Sequence, residues 1–133
     1  MDLENLVELA KKARENSYCP YTKFATGVAL LCKNGNVYTG CNIENGGIQS
    51  LCSERTTFIK ALSEGERDFN CMVLIGGPKD GDLVFTTPCG YCRQFISEFV
   101  DKDFKVHCFY DTLENIKTYT IKELLPESFK FEQ

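Results

Sequence analysis

Leu3, Leu6, Val7 and Ala10 recur at the spacing of one helix face, and Asp2 just ahead of them can cap the first turn. The pattern predicts a helix over roughly residues 3–15, ended by Pro20 and the polar run around it. Residues 26–32 (Thr-Gly-Val-Ala-Leu-Leu-Cys) predict a strand. Asn34-Gly35 is a hairpin turn signal, and Val37-Tyr38-Thr39 begins the return strand. Asn45-Gly46-Gly47 breaks the chain. A helix from about Leu51 to Ser63 follows, with Phe58, Ile59 and Leu62 inward and Gly65 as its stop. Met72-Val73-Leu74-Ile75 reads as a buried strand and Pro78 to Asp82 as a loop. A third helix starts near Pro88, with Cys92, Phe95, Ile96 and Phe99 on one stripe. Lys105–Tyr110 and Thr118–Ile121 predict two more strands, before a helical turn ending at Pro126.

This order predicts an α/β fold, with a single mixed sheet of about five strands sandwiched by helices. No repeat or linker interrupts it, so residues 1–133 are expected to form one domain. Apolar residues make up 43% and charged residues 26%, proportions that suit a globular chain with one proper core. No apolar run approaches the ~20 residues of a membrane span. The start, Met1-Asp2-Leu3-Glu4-Asn5, is acidic and amphipathic and does not read as a secretion signal, so a cytoplasmic location is expected. Net charge is −4 with no dense Lys/Arg block, which disfavours nucleic acid as a partner and favours a small ligand.

Eight cysteines change the picture. In a reducing compartment, metal binding and burial compete better than disulfides. Cys19, Cys32, Cys41, Cys71 and Cys108 are scattered among apolar neighbours and read as small buried hydrophobes. Cys52-Ser53-Glu54-Arg55 and Pro88-Cys89-Gly90-Tyr91-Cys92 differ from them, because both fall where a helix begins. Free N–H groups and the partial positive charge of a helix start favour thiolates, the form that binds zinc. Cys52, Cys89 and Cys92 thus make a candidate site for one Zn²⁺ with three protein ligands. A structural zinc takes four, whereas a catalytic zinc takes three and keeps water in the fourth position. A redox Cys-x-x-Cys, half of a zinc ribbon and a closed four-cysteine site are the competing readings. His107, the only histidine, sits among apolar residues and reads as structural.

Glu54 lies in the first helical turn, where an acidic residue is ordinarily just a favourable partner for the helix dipole. Beside a three-ligand zinc it becomes a candidate general acid/base. Three thiolates on Zn²⁺ leave a net charge of −1, and Arg55, by adjacency, is the candidate to offset it. Asn42 and Glu44 stand two apart at a strand end and so face the same way, an amide and a carboxylate able to bracket a hydroxyl.

At these residues the chain resembles the zinc-dependent nucleobase deaminases, whose pattern joins ligand-x-Glu to Pro-Cys-x-x-Cys. It is most similar to the small homotetrameric cytidine deaminases. Tyr21-Thr22-Lys23-Phe24, Gly40-Cys41-Asn42-Ile43-Glu44-Asn45, Glu54-Arg55-Thr56, Arg93-Gln94 after Cys92, and Leu124 to Phe129 carry that likeness over almost the whole chain. The resemblance implies hydrolytic deamination of cytidine and deoxycytidine to uridine and deoxyuridine plus ammonia, with Glu54 moving the protons. It implies that Phe24 stacks on the base and that Asn42 and Glu44 hold the ribose 3′-hydroxyl. The Ser53 backbone N–H and the Thr87 carbonyl would meet the base edge. A homotetramer is implied, with Phe129 as a candidate wall of a neighbouring site. Ser53 stands where alanine is commoner, and the loop 46–50 is shorter than usual and lacks the family's tyrosine. The alternatives are a deaminase of another aminopyrimidine such as blasticidin S, against which Asn42 and Glu44 argue, and a catalytically silent zinc protein, against which Glu54 argues.

Overall fold

A computed structural model describes residues 1–131. Helix α1 (Leu3–Arg14) is capped by the Asp2 carboxylate, which accepts from the Asn5 N–H at 2.9 Å. Strands β1 (Phe24–Cys32) and β2 (Val37–Cys41) form the predicted hairpin, and α2 (Ser53–Ser63) follows. Next come β3 (Phe69–Pro78), α3 (Gly90–Ser97), β4 (Lys105–Cys108), β5 (Lys117–Thr120) and the short α4 (Ile121–Leu124). The strands lie in the order β2-β1-β3-β4-β5. Only β3 and β4 run parallel, and α3 makes the crossover between them, so the sheet is mixed as expected.

Strand alternation sends two sets of side chains to opposite faces. On one face Ala29, Val73 and Ile75 pack against Leu6, Val7 and Ala10 of α1. On the other, Val28, Leu30, Met72 and Leu74 pack against Phe58 and Ala61 of α2 and Cys92 and Ile96 of α3. Gly40 lies so close to Thr57 of α2 that a Cβ there would collide with its hydroxyl. The α2 N-terminus is thereby pressed onto the end of β2. Gly65, at φ 97°, ends the helical segment as predicted.

Several expectations need correction. Both cysteine-bearing helices start later than predicted: Cys52 and Cys89 are N-caps, and Pro88 precedes the cap instead of occupying the first turn. Ile59 is 43% exposed, because the buried stripe of α2 runs through Ser53, Glu54, Thr57, Phe58 and Ala61 and leaves Ile59 at its edge. Phe99 also leaves its predicted stripe. The helix ends at Ser97, and Phe99 lies tilted against Phe95, with ring centroids 5.1 Å apart, near the surface. The remaining cysteines, 19, 32, 41, 71 and 108, are all buried, as read. The backbone of β3 is longer than its four-residue apolar run, since pairing with β1 extends it from Phe69 to Pro78.

Candidate active site

The two helix starts converge. The sulfurs of Cys52, Cys89 and Cys92 all lie within 4.8 Å of one another, from a half-buried, an exposed and a buried residue. Cys52 Sγ and Cys89 Sγ are 3.8 Å apart. Two sulfurs each ~2.3 Å from a tetrahedral zinc would stand about 3.8 Å apart, so the spacing of this pair suits a shared metal. No fourth cysteine, histidine or carboxylate joins the group among the described residues. A closed four-ligand site and a ribbon are therefore not what this geometry builds. His107 is remote in role: its Nδ1 pairs with the Thr118 hydroxyl at 2.8 Å across β4 and β5.

Neither N-cap cysteine uses its side chain to cap its helix, so both sulfurs are free to turn toward the common point. A hydrogen bond from Cys92 does most to lower the Cys52 pKa. Against the opposing effect of burial, donors from Arg55 and Cys89 add to it, and the thiol comes down to about 5. These donors favour the ionised form of Cys52. Cys92, as donor in that pair and a buried group, is pushed up.

Arg55 reaches back across the first turn of α2. Its Nη2 donates to Cys52 Sγ at 3.5 Å and to the Ser50 carbonyl at 3.2 Å. Its guanidinium lies 4.1 Å over the Tyr91 ring, a contact between the two motifs that the sequence reading missed. Burial acts against the guanidinium charge, but the hydrogen bonds to Cys52 and Cys92 outweigh it and keep Arg55 charged.

Glu54 is 4% exposed and belongs to no metal-holding group. Burial pushes its carboxyl up to about 7. The Ser53 hydroxyl donates to Glu54 Oε1 at 2.9 Å, and the Thr57 hydroxyl holds the Ser53 carbonyl at 2.7 Å.

A cavity of about 280 Å³ opens between these groups and the ends of the strands. Cys52, Cys89 and Glu54 line it, together with Phe24, Asn42 and Thr87 from the predicted set. Thr22, Thr26, Leu74 and Thr86 complete the wall. Thr22 lies within a motif quoted above. Thr26, Leu74 and Thr86 carried no local signal, because strand pairing and a β-bridge bring them together. Ser53, Glu44 and Arg55 of the predicted set are not among the lining residues. Asn42 accepts from the Ser17 hydroxyl and from the Thr26 N–H at 2.9 Å, and its Nδ2 donates to the Phe24 carbonyl at 2.8 Å. Glu44 accepts from the Tyr21 and Thr22 N–H groups, each at 3.0 Å, and from the Thr22 hydroxyl. Burial alone would raise the Glu44 pKa; the Thr22 and Tyr21 donors and nearby Lys23 outweigh it and hold the carboxyl low.

Residues 1–108 match the family described as the cytidine and deoxycytidylate deaminase zinc-binding region. A cytidine deaminase from Sporosarcina psychrophila is 41% identical over 133 residues, covering 99% of this chain and 94% of that protein. The crystal structure of a cytidine deaminase from Burkholderia pseudomallei superposes with a TM-score of 0.86 at 34% identity, covering 97% of this chain and 100% of that one. A blasticidin-S deaminase from Bacillus cereus is 31% identical over 127 residues, covering 90% of this chain and 89% of that protein.

Proposed function

The chain belongs to the cytidine and deoxycytidylate deaminase zinc-binding family, and from that membership we propose that it hydrolyses cytidine and deoxycytidine to uridine and deoxyuridine with release of ammonia. The observation that carries this reading is the position of Glu54: a buried carboxylate on the same cavity wall as Cys52 and Cys89, yet outside the metal-holding group. Cys52, Cys89 and Cys92 would hold one zinc, which supplies a Lewis acid that lowers the pKa of a water in its fourth position.

Glu54 moves the protons. It accepts one from the attacking water and delivers it to N3 of the cytosine, then takes the proton of the new C4 hydroxyl and delivers it to the amino group as the C4–N bond breaks and the carbonyl forms. A carboxyl whose burial places its pKa near neutrality suits a group that must both take and give. The Ser53 backbone N–H and the Thr87 carbonyl meet the base edge, and the Phe24 ring stacks on the base. Asn42 keeps a second Nδ2 proton beyond the one given to Phe24, and Glu44 Oε2 keeps acceptor capacity beyond its Thr22 bond. These two groups hold the ribose 3′-hydroxyl. Arg55 offsets the excess negative charge of three thiolates.

The substrate is a small nucleoside rather than a polynucleotide, in keeping with the net charge of −4. Among the described residues no helix is long and apolar enough to cross a membrane. We read residues 1–133 as one cytoplasmic domain that works as a homotetramer. The exposed side chains of Tyr21, Tyr91 and Phe129 supply aromatic surface for such contacts.

One assay tests the reaction. Zinc-loaded protein is offered cytidine, deoxycytidine, cytosine, deoxycytidylate and blasticidin S, following ultraviolet absorbance and ammonia release. Turnover of both nucleosides is expected, and turnover of blasticidin S alone, or of no substrate, overturns the reading.

A further inference from the structure

Arg93 has no part in the chemistry above, yet its guanidinium is committed in three directions. It sits on α3, half-buried, one residue beyond Cys92. Nε donates to the Pro88 carbonyl at 2.7 Å and Nη2 to the Thr87 hydroxyl at 3.1 Å. Nη1 donates to the Leu124 carbonyl at 2.9 Å, at the end of α4. The Nε and Nη2 protons leave the same edge of the planar fork, so one edge reads residues 87 and 88 as a pair while Nη1 holds the C-terminal turn.

This clamp acts where the backbone has little else. Residues 85–89 belong to no helix or strand, and the last sheet-like bridge before them is Val84 to Gly76. Among the described residues, the hydrogen bonds that reach Thr87 and Pro88 all come from Arg93. Among the described residues, none donates to the Thr87 carbonyl. Thr87 lines the cavity, and Pro88 leads directly into Cys89. Gln94 repeats the theme one residue on, its Nε2 donating to the Phe129 carbonyl at 3.3 Å.

We propose that Arg93 is a positioning residue that ties the Thr87–Pro88 segment to the α4 turn and so fixes the direction of the unpaired Thr87 carbonyl at the cavity wall. The substrate half of this inference rests on the reading that the Thr87 carbonyl meets the base. A lysine cannot replace the fork, since a single ammonium reaches the three acceptors only along diverging lines.

The test compares wild type with Arg93→Lys and Arg93→Ala for zinc content, steady-state kinetics and amide hydrogen exchange. Both variants are expected to hold about one zinc per chain. Their kcat/KM for cytidine is expected to fall about tenfold or more, with KM rising more than kcat falls. Methylguanidinium should partly restore Arg93→Ala, and methylammonium should not. Exchange should quicken in residues 85–92 and 121–125. Thr87→Val, which removes one acceptor while keeping the shape, should raise KM by roughly twofold to fivefold. Wild-type-like kinetics in Arg93→Lys, an unchanged KM in Thr87→Val, or activity lost only in proportion to zinc overturns the positioning role. If wild type itself turns over no nucleoside, the reaction assignment fails, and the exchange experiment alone decides whether the clamp holds: unchanged protection sinks it.

Discussion

The Ser53 hydroxyl donates to Glu54 Oε1 at 2.9 Å inside the protein, where Ser53 has 0% of its surface exposed. It is the one side-chain hydrogen bond to that carboxylate among the described residues. One oxygen is therefore engaged on the protein side, and the carboxylate has a preferred rotation. Ser53→Ala is expected to lower kcat for cytidine by roughly threefold to tenfold while KM stays within about twofold, since the lost bond is charge-assisted and the backbone N–H remains. Steady-state kinetics at matched zinc content checks this, and an unaltered kcat removes the hydroxyl from the account.

The proposed reading has Glu54 carry protons and not ligate, in keeping with its place outside the cysteine group. Glu54→Ala is expected to keep about one zinc per chain and to lose roughly 10²- to 10⁴-fold in kcat. Metal analysis of the purified variant is the decisive reading, because loss of zinc would make the carboxylate a ligand.

Arg55 brings a positive charge to within 3.5 Å of Cys52 Sγ. Removing it takes away stabilisation of negative charge at the centre, so groups there ionise at higher pH. Arg55→Gln should move the acidic limb of the activity profile upward by roughly one pH unit. A profile of kcat/KM against pH reads the shift directly, and an unmoved limb would mean that the arginine only packs on Tyr91.

Glu66 gives a pH effect remote from the site. Asn34 and Asn36 donate to its carboxylate at 2.9 and 2.7 Å, and the Tyr38 hydroxyl at 3.0 Å. The Asn36 bond, helped by those from Tyr38 and Asn34, outweighs burial and lowers its pKa below the ordinary 4.5. A lowered folded-state pKa contributes stability above the unfolded value, lost as pH falls through the folded one. Glu66→Gln should therefore flatten the decline of Tm below about pH 4.5 and leave kcat unchanged. Thermal melts across that range, run on wild type and variant, test it; parallel curves would remove Glu66 from the account.

The legible parts of the site were local. Cys52 and Glu54 are two residues apart, and Cys89 and Cys92 three, so their relation survives any error in the rest of the fold. The same holds for Asp2 as a cap and Gly65 as a stop. Ile59 and Phe99 were misjudged because periodicity gives a stripe but not its centre or its end. Those depend on what the sheet presents and on where α3 stops at Ser97.

By itself the sequence determined the three candidate ligands, the carboxylate beside them, the approximate helix starts that favour thiolates, and the alternation of strands and helices. Each is a property of residues near one another in the chain, where backbone geometry fixes direction. Tertiary structure alone decided that the two cysteine motifs meet, with Cys52 and Cys89 sulfurs at 3.8 Å. It also decided that Thr26, Leu74 and Thr86 join one wall, that Tyr91 covers Arg55, and that Arg93 binds the Thr87–Pro88 segment to Leu124. Those relations follow from the pairing of β1 with β3 and the packing of α2 and α3 on one sheet face. Such contacts join distant parts of the chain through the collective burial of a core, which no short stretch of sequence encodes.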